Sequence, residues 1–228
     1  SDLHTQPGLT GDRQHVNANP AAYYRAAAEA LDTELGRLFD HIGAQALANT
    51  WIVFVGDNGS PGQVIPQPRT RNQAKGTLYE GGIHVPVVIA GPGLVEPGRY
   101  ADAPINLADL YSTLAELTGR ERTQLESANA LIDSVSLVPY LTQPQIDDQR
   151  SWIYSEIFGS EIDPARAGRA IRDRRYKLIR FDQEPDAFYD LESDPFETQN
   201  LSGGDLTDEQ RQRFAQLANA LTDLTGQP

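Results

Sequence analysis

The stretch WIVFVGDNGS, residues 51–60, does most to limit what this chain can become. Trp51, Ile52, Val53, Phe54 and Val55 carry the β-branched and aromatic content of a strand. The run is apolar on both faces, the pattern of a parallel sheet covered by helices on each side. Asp57 and Asn58 follow just past its carboxyl end, where open α/β sheets place ligands. A second run, HVPVVIAGPG, predicts another buried strand near 85–90, stopped by Gly91, Pro92 and Gly93.

Helical spacing flanks these strands. Tyr24, Ala28, Leu31, Leu35, Leu38 and Ile42 repeat at intervals of three and four and predict a helix from about Asn19 to His41. Asn19 is its candidate cap and Pro20 suits its first turn, whereas residues 1–19 are polar and without periodicity. INLADLYSTLAELTG predicts a second helix with Leu107, Leu110, Leu114 and Leu117 inward and Gly119 at its C-terminal end. After about residue 145 the pattern changes. SWIYSEIF, RAIRDRRYKLIRF and DAFYDLE read as strands in antiparallel pairing. Thr207 and Gln210 form a capping box opening a last helix whose apolar face is Phe214, Leu217, Leu221 and Leu224. The expected architecture is α/β, with a layered region over 1–145 and a small α+β subdomain over 146–228.

Composition closes off several function classes. The 228 residues carry a formal charge of −13 and no basic run, which argues against nucleic acid as a partner. No stretch approaches the roughly 20 apolar residues of a membrane span. The absence of cysteine excludes disulfides and thiolate-bound metals and leaves the cellular compartment undetermined. A chain that opens at Ser1 and holds no methionine reads as a piece of a longer protein.

Asp57 and Asn58 offer two hard oxygens on adjacent residues, which suit calcium or magnesium. The same Asp-Asn-Gly composition also makes an ordinary turn. Lys75, in QAKGTLYEGG, is either a point charge for an anionic oxygen or a solvated surface lysine. Between Asp57 and His84 the basic residues Arg69, Arg71 and Lys75 outnumber the acids Asp57 and Glu80, so this loop is locally positive in an acidic chain. Glu80 before Gly81-Gly82 fits a supporting partner of the site, a cap or a salt bridge. His4 can donate to an anion, although a lone histidine in a polar segment is ordinarily solvated. His15, His41 and His84 have no such context. The basic cluster RAGRAIRDRRYK reads best as a charged, exposed strand edge.

Taken in order, these segments resemble the carboxyl-terminal portion of the sulfatase family of the alkaline-phosphatase superfamily. AAYYRAAAEALDTELGRLFDHI resembles the family helix in which a Tyr and a Leu-Asp precede Gly-Arg. WIVFVGDNGS resembles its strand and second pair of metal ligands, and KGTLYEGGIHVPVVIAGPG its lysine and Glu-Gly-Gly motif. DSVSLVPYL and RDRRYKLIRF…FYDLESDPFETQNL are similar to the family's tail. The resemblance implies part of an alkaline-phosphatase-like sandwich, a mainly parallel sheet with flanking helices. It implies that Asp57 and Asn58 bind a divalent cation, usually calcium with magnesium as the alternative, and that Lys75 contacts a sulfate ester substrate and the nucleophile. His4 corresponds to a family histidine that touches sulfate and would protonate the leaving oxygen, although the family sets its proline closer. An amide oxygen at Asn58 suits one calcium better than a pair of transition metals.

The family's first acidic metal pair and its formylglycine nucleophile are expected upstream. No Cys-x-Pro-x-Arg or Ser-x-Pro-x-Arg occurs here, and SDPFE, near the end, lacks the arginine. The expected function is sulfuric ester hydrolysis, with this chain carrying roughly half of an active site and inactive alone. The alternatives are a phosphoric-ester or phosphonate hydrolase of the same superfamily, which Asn58 disfavours, and a binding protein that keeps the fold without the nucleophile. A sheet without its upstream strands is also expected to expose an apolar edge and face, inviting self-association or a partner.

Overall fold

The computed structural model describes residues 5–120, 132–158 and 166–226. Two compact units emerge. One comprises the chain up to Lys75 together with Gly81–Pro92; the other comprises Gly76–Glu80 together with the chain from Gly93 onward.

In the first unit, a short helix α1 (Arg13–Ala18) forms where the sequence predicts irregular chain. Its signal is a cap rather than a period: the Asp12 carboxylate accepts from the His15 N–H at 2.9 Å. Helix α2 (Pro20–Ile42) follows with Pro20 in its first turn, as expected. Asn19 does not cap it; its side-chain amide donates instead to the His15 carbonyl at 3.1 Å. The apolar stripe of α2 is not buried: Tyr24, Leu31, Leu38 and Ile42 are exposed, and Ala26 is the helix's buried residue. A one-turn helix α3 (Ala44–Leu47) leads into strand β1 (Ile52–Val55).

A one-turn helix α4 (Glu80–Ile83) precedes strand β2 (Val87–Ala90). Strand β1 pairs with β2 in antiparallel register, Val55 opposite Val87 and Ile52 opposite Ala90. The expected parallel pairing is not formed by any described strand. Apolarity on both faces reports burial, not direction. Direction follows from the connection, and here the chain leaves β1 and returns to the same end of the pair, where Gly56 N–H donates to Pro86 O at 3.0 Å. Neither strand is fully buried, and Phe54 and Val88 are exposed.

In the second unit, helix α5 (Asp109–Leu117) ends as predicted, with Gly119 just beyond its C-cap at φ 78°, a conformation glycine adopts freely. Its inward face differs from the expectation. Asp109, Ser112 and Thr113 are buried, whereas Leu107 and Leu114 are exposed. The polar face is inward because it satisfies the backbone of a neighbouring segment. Val135 N–H donates to the Asp109 carboxylate at 2.8 Å and Leu137 N–H to the Thr113 hydroxyl at 2.8 Å. Arg150 completes the arrangement with a forked contact to Asp109. A short helix α6 (Val138–Thr142) follows.

The antiparallel region is realised as a four-stranded meander of β3 (Ile153–Ile157), β4 (Gly168–Arg172), β5 (Tyr176–Phe181) and β6 (Ala187–Asp190), in that spatial order. Period-two alternation sorts its side chains. On one face Ile171, Tyr176, Leu178 and Phe188 pack with Leu217 and Leu221 of α7 (Asp208–Thr225). On the other, Ala170, Ile179, Ala187 and Tyr189 enclose Leu78. Burying Leu217 and Leu221 contributes about 1.5–3 kcal/mol each. The Thr207–Gln210 capping box is present, and Leu224 remains exposed. The basic cluster is not an exposed edge: β4 is interior to the sheet, and Arg169, Arg172, Arg174 and Arg175 are all ion-paired. No helix among the described residues is long and apolar enough to cross a membrane.

The pair formed by Arg175 and buried Asp190, at 2.8 Å, gives the sheet a measurable acid sensitivity. Hydrogen bonds from Arg175 hold the Asp190 carboxyl below the usual carboxylate range, against the opposing effect of burial. A depressed carboxyl stabilises the fold above its unfolded value of about 3.9 and loses that contribution as pH falls through the folded value. The apparent Tm is therefore expected to fall more steeply below about pH 4 in the parent chain than in Asp190→Asn, measured by circular dichroism melts across pH.

Candidate functional site

The connection from Val55 to Val87 carries three of the four residues singled out in the sequence. In the first unit it is stapled by backbone bonds beyond the strand ladder. Gly56 N–H reaches Pro86 O at 3.0 Å, Gly59 N–H reaches Gly82 O at 2.9 Å, and Lys75 N–H reaches Ser60 O at 3.0 Å. Asp57 and Asn58 lie between the first two of these bonds, Asp57 exposed and Asn58 half-buried. Lys75 is exposed, and its backbone bond ties it to the residue two positions past Asn58. The loop is thus held at Gly56, Gly59 and Ser60, on both sides of the Asp57-Asn58 pair. His4 lies outside the described residues.

Two glycines are required by close approach. A Cβ on Gly59 would sit 2.0 Å from Gly81 O, and one on Gly81 would sit 2.1 Å from Gln73 O. Both obstacles are backbone, which cannot rotate away as a side chain can. This gives the first glycine of Glu-Gly-Gly a physical reason: it passes between Gly59 and the Gln73 turn. That turn, Arg71–Gln73, carries its own capping box from Thr70 to Gln73.

As a cation site the loop offers a carboxylate and an amide oxygen, the hard donors that calcium or magnesium prefer. Among the described residues no group of three or more His, Cys, Asp or Glu could hold a metal ion. Calcium favours about 6–8 oxygens, so Asp57 and Asn58 fit as part of a coordination shell and not as a whole one.

Glu80 resolves toward the salt-bridge reading. In the second unit its carboxylate meets Lys177 Nζ at 2.9 Å and Arg172 at 2.6 Å, and its own N–H donates to Glu197 at 2.6 Å. Lys177 also meets Glu197 at 2.8 Å. Lys177 is 0% exposed, Glu197 3% and Glu80 4%. Burial pushes the Glu197 carboxyl above its ordinary value, and the Lys177 ammonium opposes that shift. Glu197 adopts φ 56°, uncommon for a residue with a side chain. Beside this network Tyr79 packs against Phe181 and Tyr189, and burial raises both phenols above their ordinary value.

Lys177 and Glu197 belong to none of the candidate sites visible in the sequence. A signal was present: Lys177 is the one charge inside the apolar run Tyr176–Ile179, and a lysine on a buried strand face needs a carboxylate partner. The same unit has an open cleft lined by Arg99, Tyr100, Asp102, Tyr140, Asp148 and Arg174. Its two arginines are committed, Arg174 to Asp148 and Arg99 to the Tyr140 carbonyl.

Replacing Gly59 or Gly81 by alanine is expected to destabilise the first unit by about 1–3 kcal/mol or more, as overpacking against fixed atoms does. Replacing exposed Gly76, where a Cβ meets nothing, costs only backbone strain at its positive φ. Urea melts of the three variants check the order, with Gly76→Ala expected to be the mildest.

Comparison with known proteins now bears on this loop. Residues 4–120 match the family model described as Sulfatase, and residues 72–227 match the one described as N-sulphoglucosamine sulphohydrolase, C-terminal. Arylsulfatase K of Xenopus laevis is 29% identical over 201 residues, covering 83% of this chain and 35% of that protein. A solved structure in complex with its substrate D-glucosamine-2-N,6-O-disulfate superposes with TM-score 0.72 at 24% identity, over 90% of this chain and 40% of that one. A phosphonate monoester hydrolase of Agrobacterium radiobacter superposes with TM-score 0.70 at 26% identity, over 93% of this chain and 42% of that one. The chain thus spans about a third of the length of the curated relative and two-fifths of the solved ones.

Proposed function

Since the chain belongs to the sulfatase family and has an alkaline-phosphatase-like α/β fold, we propose that it supplies part of the active site of a sulfuric ester hydrolase. The observation that supports this most directly is the bond from Lys75 N–H to Ser60 O, which joins the lysine to the Asp57-Asn58 loop. In this reading Lys75 offers its ammonium to the sulfuryl oxygens of a sulfate ester, where negative charge builds as the ester bond breaks. Asp57 and Asn58 contribute two oxygens to a divalent cation, calcium by donor type. When bound, that cation supplies electrostatic stabilisation of the same oxygens. His4 donates a proton to the departing alcohol oxygen. The nucleophile, a formylglycine in this family, is not among these 228 residues in precursor form. The division at residue 145, with catalytic layers before it and a small subdomain after it, is part of the same proposal.

The phosphonate hydrolase resemblance supports a second reading, a phosphonate or phosphoric ester as substrate. An amide at Asn58 rather than an imidazole weighs for the sulfate ester.

The test is turnover by the complete product of the gene on matched aryl sulfate and aryl phosphonate esters. Sulfate is expected to be the better substrate, and Lys75→Ala is expected to lower kcat/KM for it by about 10²–10³. Equal or better phosphonate turnover would reverse the assignment. The 228-residue chain alone is expected to show no turnover and weak calcium binding. Sub-micromolar calcium affinity by calorimetric titration would show that the cation site is complete without further ligands.

A further inference from the structure

The strongest unexplained feature is a charge network buried in the second unit. Lys177 is the second residue of β5 and has no exposed surface; it stands between the carboxylates of Glu80 and Glu197, and Arg172 of β4 closes the other side of Glu80. Its partners are remote in sequence, ninety-seven residues separating Glu80 from Lys177. A network of this kind is a poor way to gain stability, because desolvating each ion offsets most of the attraction. It is an effective way to specify one arrangement of the groups that make it, since every alternative leaves a charge buried without a partner.

What the network holds is the segment Gly76–Glu80. That segment clusters with the four-stranded sheet, while Lys75 before it and Gly81 after it cluster with the other unit. It is fixed there three ways: Leu78 is enclosed by the sheet's apolar face, the Glu80 carboxylate meets Lys177 and Arg172, and the Glu80 backbone N–H donates to Glu197. Leu78 supplies adhesion without direction, because an apolar contact tolerates sliding. The charges and the backbone bond set the register. Lys75 is joined to this segment through Gly76, whose positive φ makes a turn there.

We propose that Lys177 and Glu197 are positioning residues: through Glu80 they set the conformation of Gly76–Glu80 and thereby the backbone from which Lys75 projects. This rests on the reading of Lys75 as the sulfate-contacting cation. It also gives the tail motifs YKLI and DPFE a function, each bringing one member of the network to the same point.

Amide hydrogen exchange on the 228-residue chain tests the proposal without requiring activity. In Lys177→Met, the amides of Gly76–Gly82 are expected to exchange about tenfold faster or more, while those of Ile171, Leu178 and Leu217 change by less than about threefold. Glu197→Gln keeps an oxygen for the Glu80 N–H and is expected to restore most of the protection that Glu197→Ala removes. In the complete gene product, Lys177→Met is expected to lower kcat/KM for an aryl sulfate about tenfold, and to cause little further loss when it is added to Lys75→Ala, as two residues acting through one group require. Uniform acceleration across β4, β5 and α7, unchanged exchange at 76–82, or failure of all three network variants to fold would each overturn the proposal, because the network would then serve the fold as a whole. If the complete product turns over no sulfate ester, the function proposed above fails, and the exchange pattern still decides whether the network holds the segment.

Discussion

Lys177 has no contact with solvent, and the second unit is organised around that fact. A lysine on an interior strand must bring its countercharges with it, and here they come from well-separated parts of the sequence. Glu80 arrives on the chain that follows the site loop; Glu197 arrives on the turn after β6. Losing one partner of such a set costs about 3–5 kcal/mol, because the remaining charges stay buried without compensation. The cost of a wrong arrangement explains why the Glu197 backbone adopts an unfavourable φ and why its N–H and side-chain neighbours are pinned by Asp194. The chain accepts local strain at one residue to complete a set of buried charges.

A second hub works by the same rule with one ion pair instead of three. Asp109 is buried and takes Arg150 together with the N–H groups of Asn106 and Val135. The two hubs anchor segments that form little regular structure of their own, 76–80 in one case and 132–137 in the other. Apolar packing in this unit is concentrated between the sheet and α7. Elsewhere, buried hydrogen-bonded and ion-paired groups locate the chain, which is how long connections can be ordered without a large core.

In the first unit, backbone does the comparable work. Three amide–carbonyl bonds and two glycines bring the Asp57-Asn58 pair and Lys75 into one loop. The chemistry-bearing side chains contribute none of those staples, which leaves them available for a ligand. The same unit exposes Tyr24, Leu31 and Leu38 of α2, Phe54 of β1 and Val88 of β2. That exposure agrees with a chain spanning about a third of the length of its curated relative.

The sequence by itself determined the local signals and the family. Strand β1 with Asp57 and Asn58 at its tip, the long helix begun at Pro20, the meander after residue 145 and the Thr207–Gln210 cap are all written in short-range patterns, and the ordered motifs point to the sulfatase family. Tertiary structure decided what such patterns cannot carry. The direction of β1 against β2 follows from where a long connection returns, and apolar content has no direction. The inward face of α5 follows from which backbone groups need partners nearby, so Asp109, Ser112 and Thr113 are buried while none of its three leucines is. The burial of β1, β2 and α2 depends on what covers them, and periodicity marks a face without supplying its cover. The joining of Glu80, Lys177 and Glu197 depends on three-dimensional proximity across most of the chain, because a charge is buried only where the fold delivers its partner.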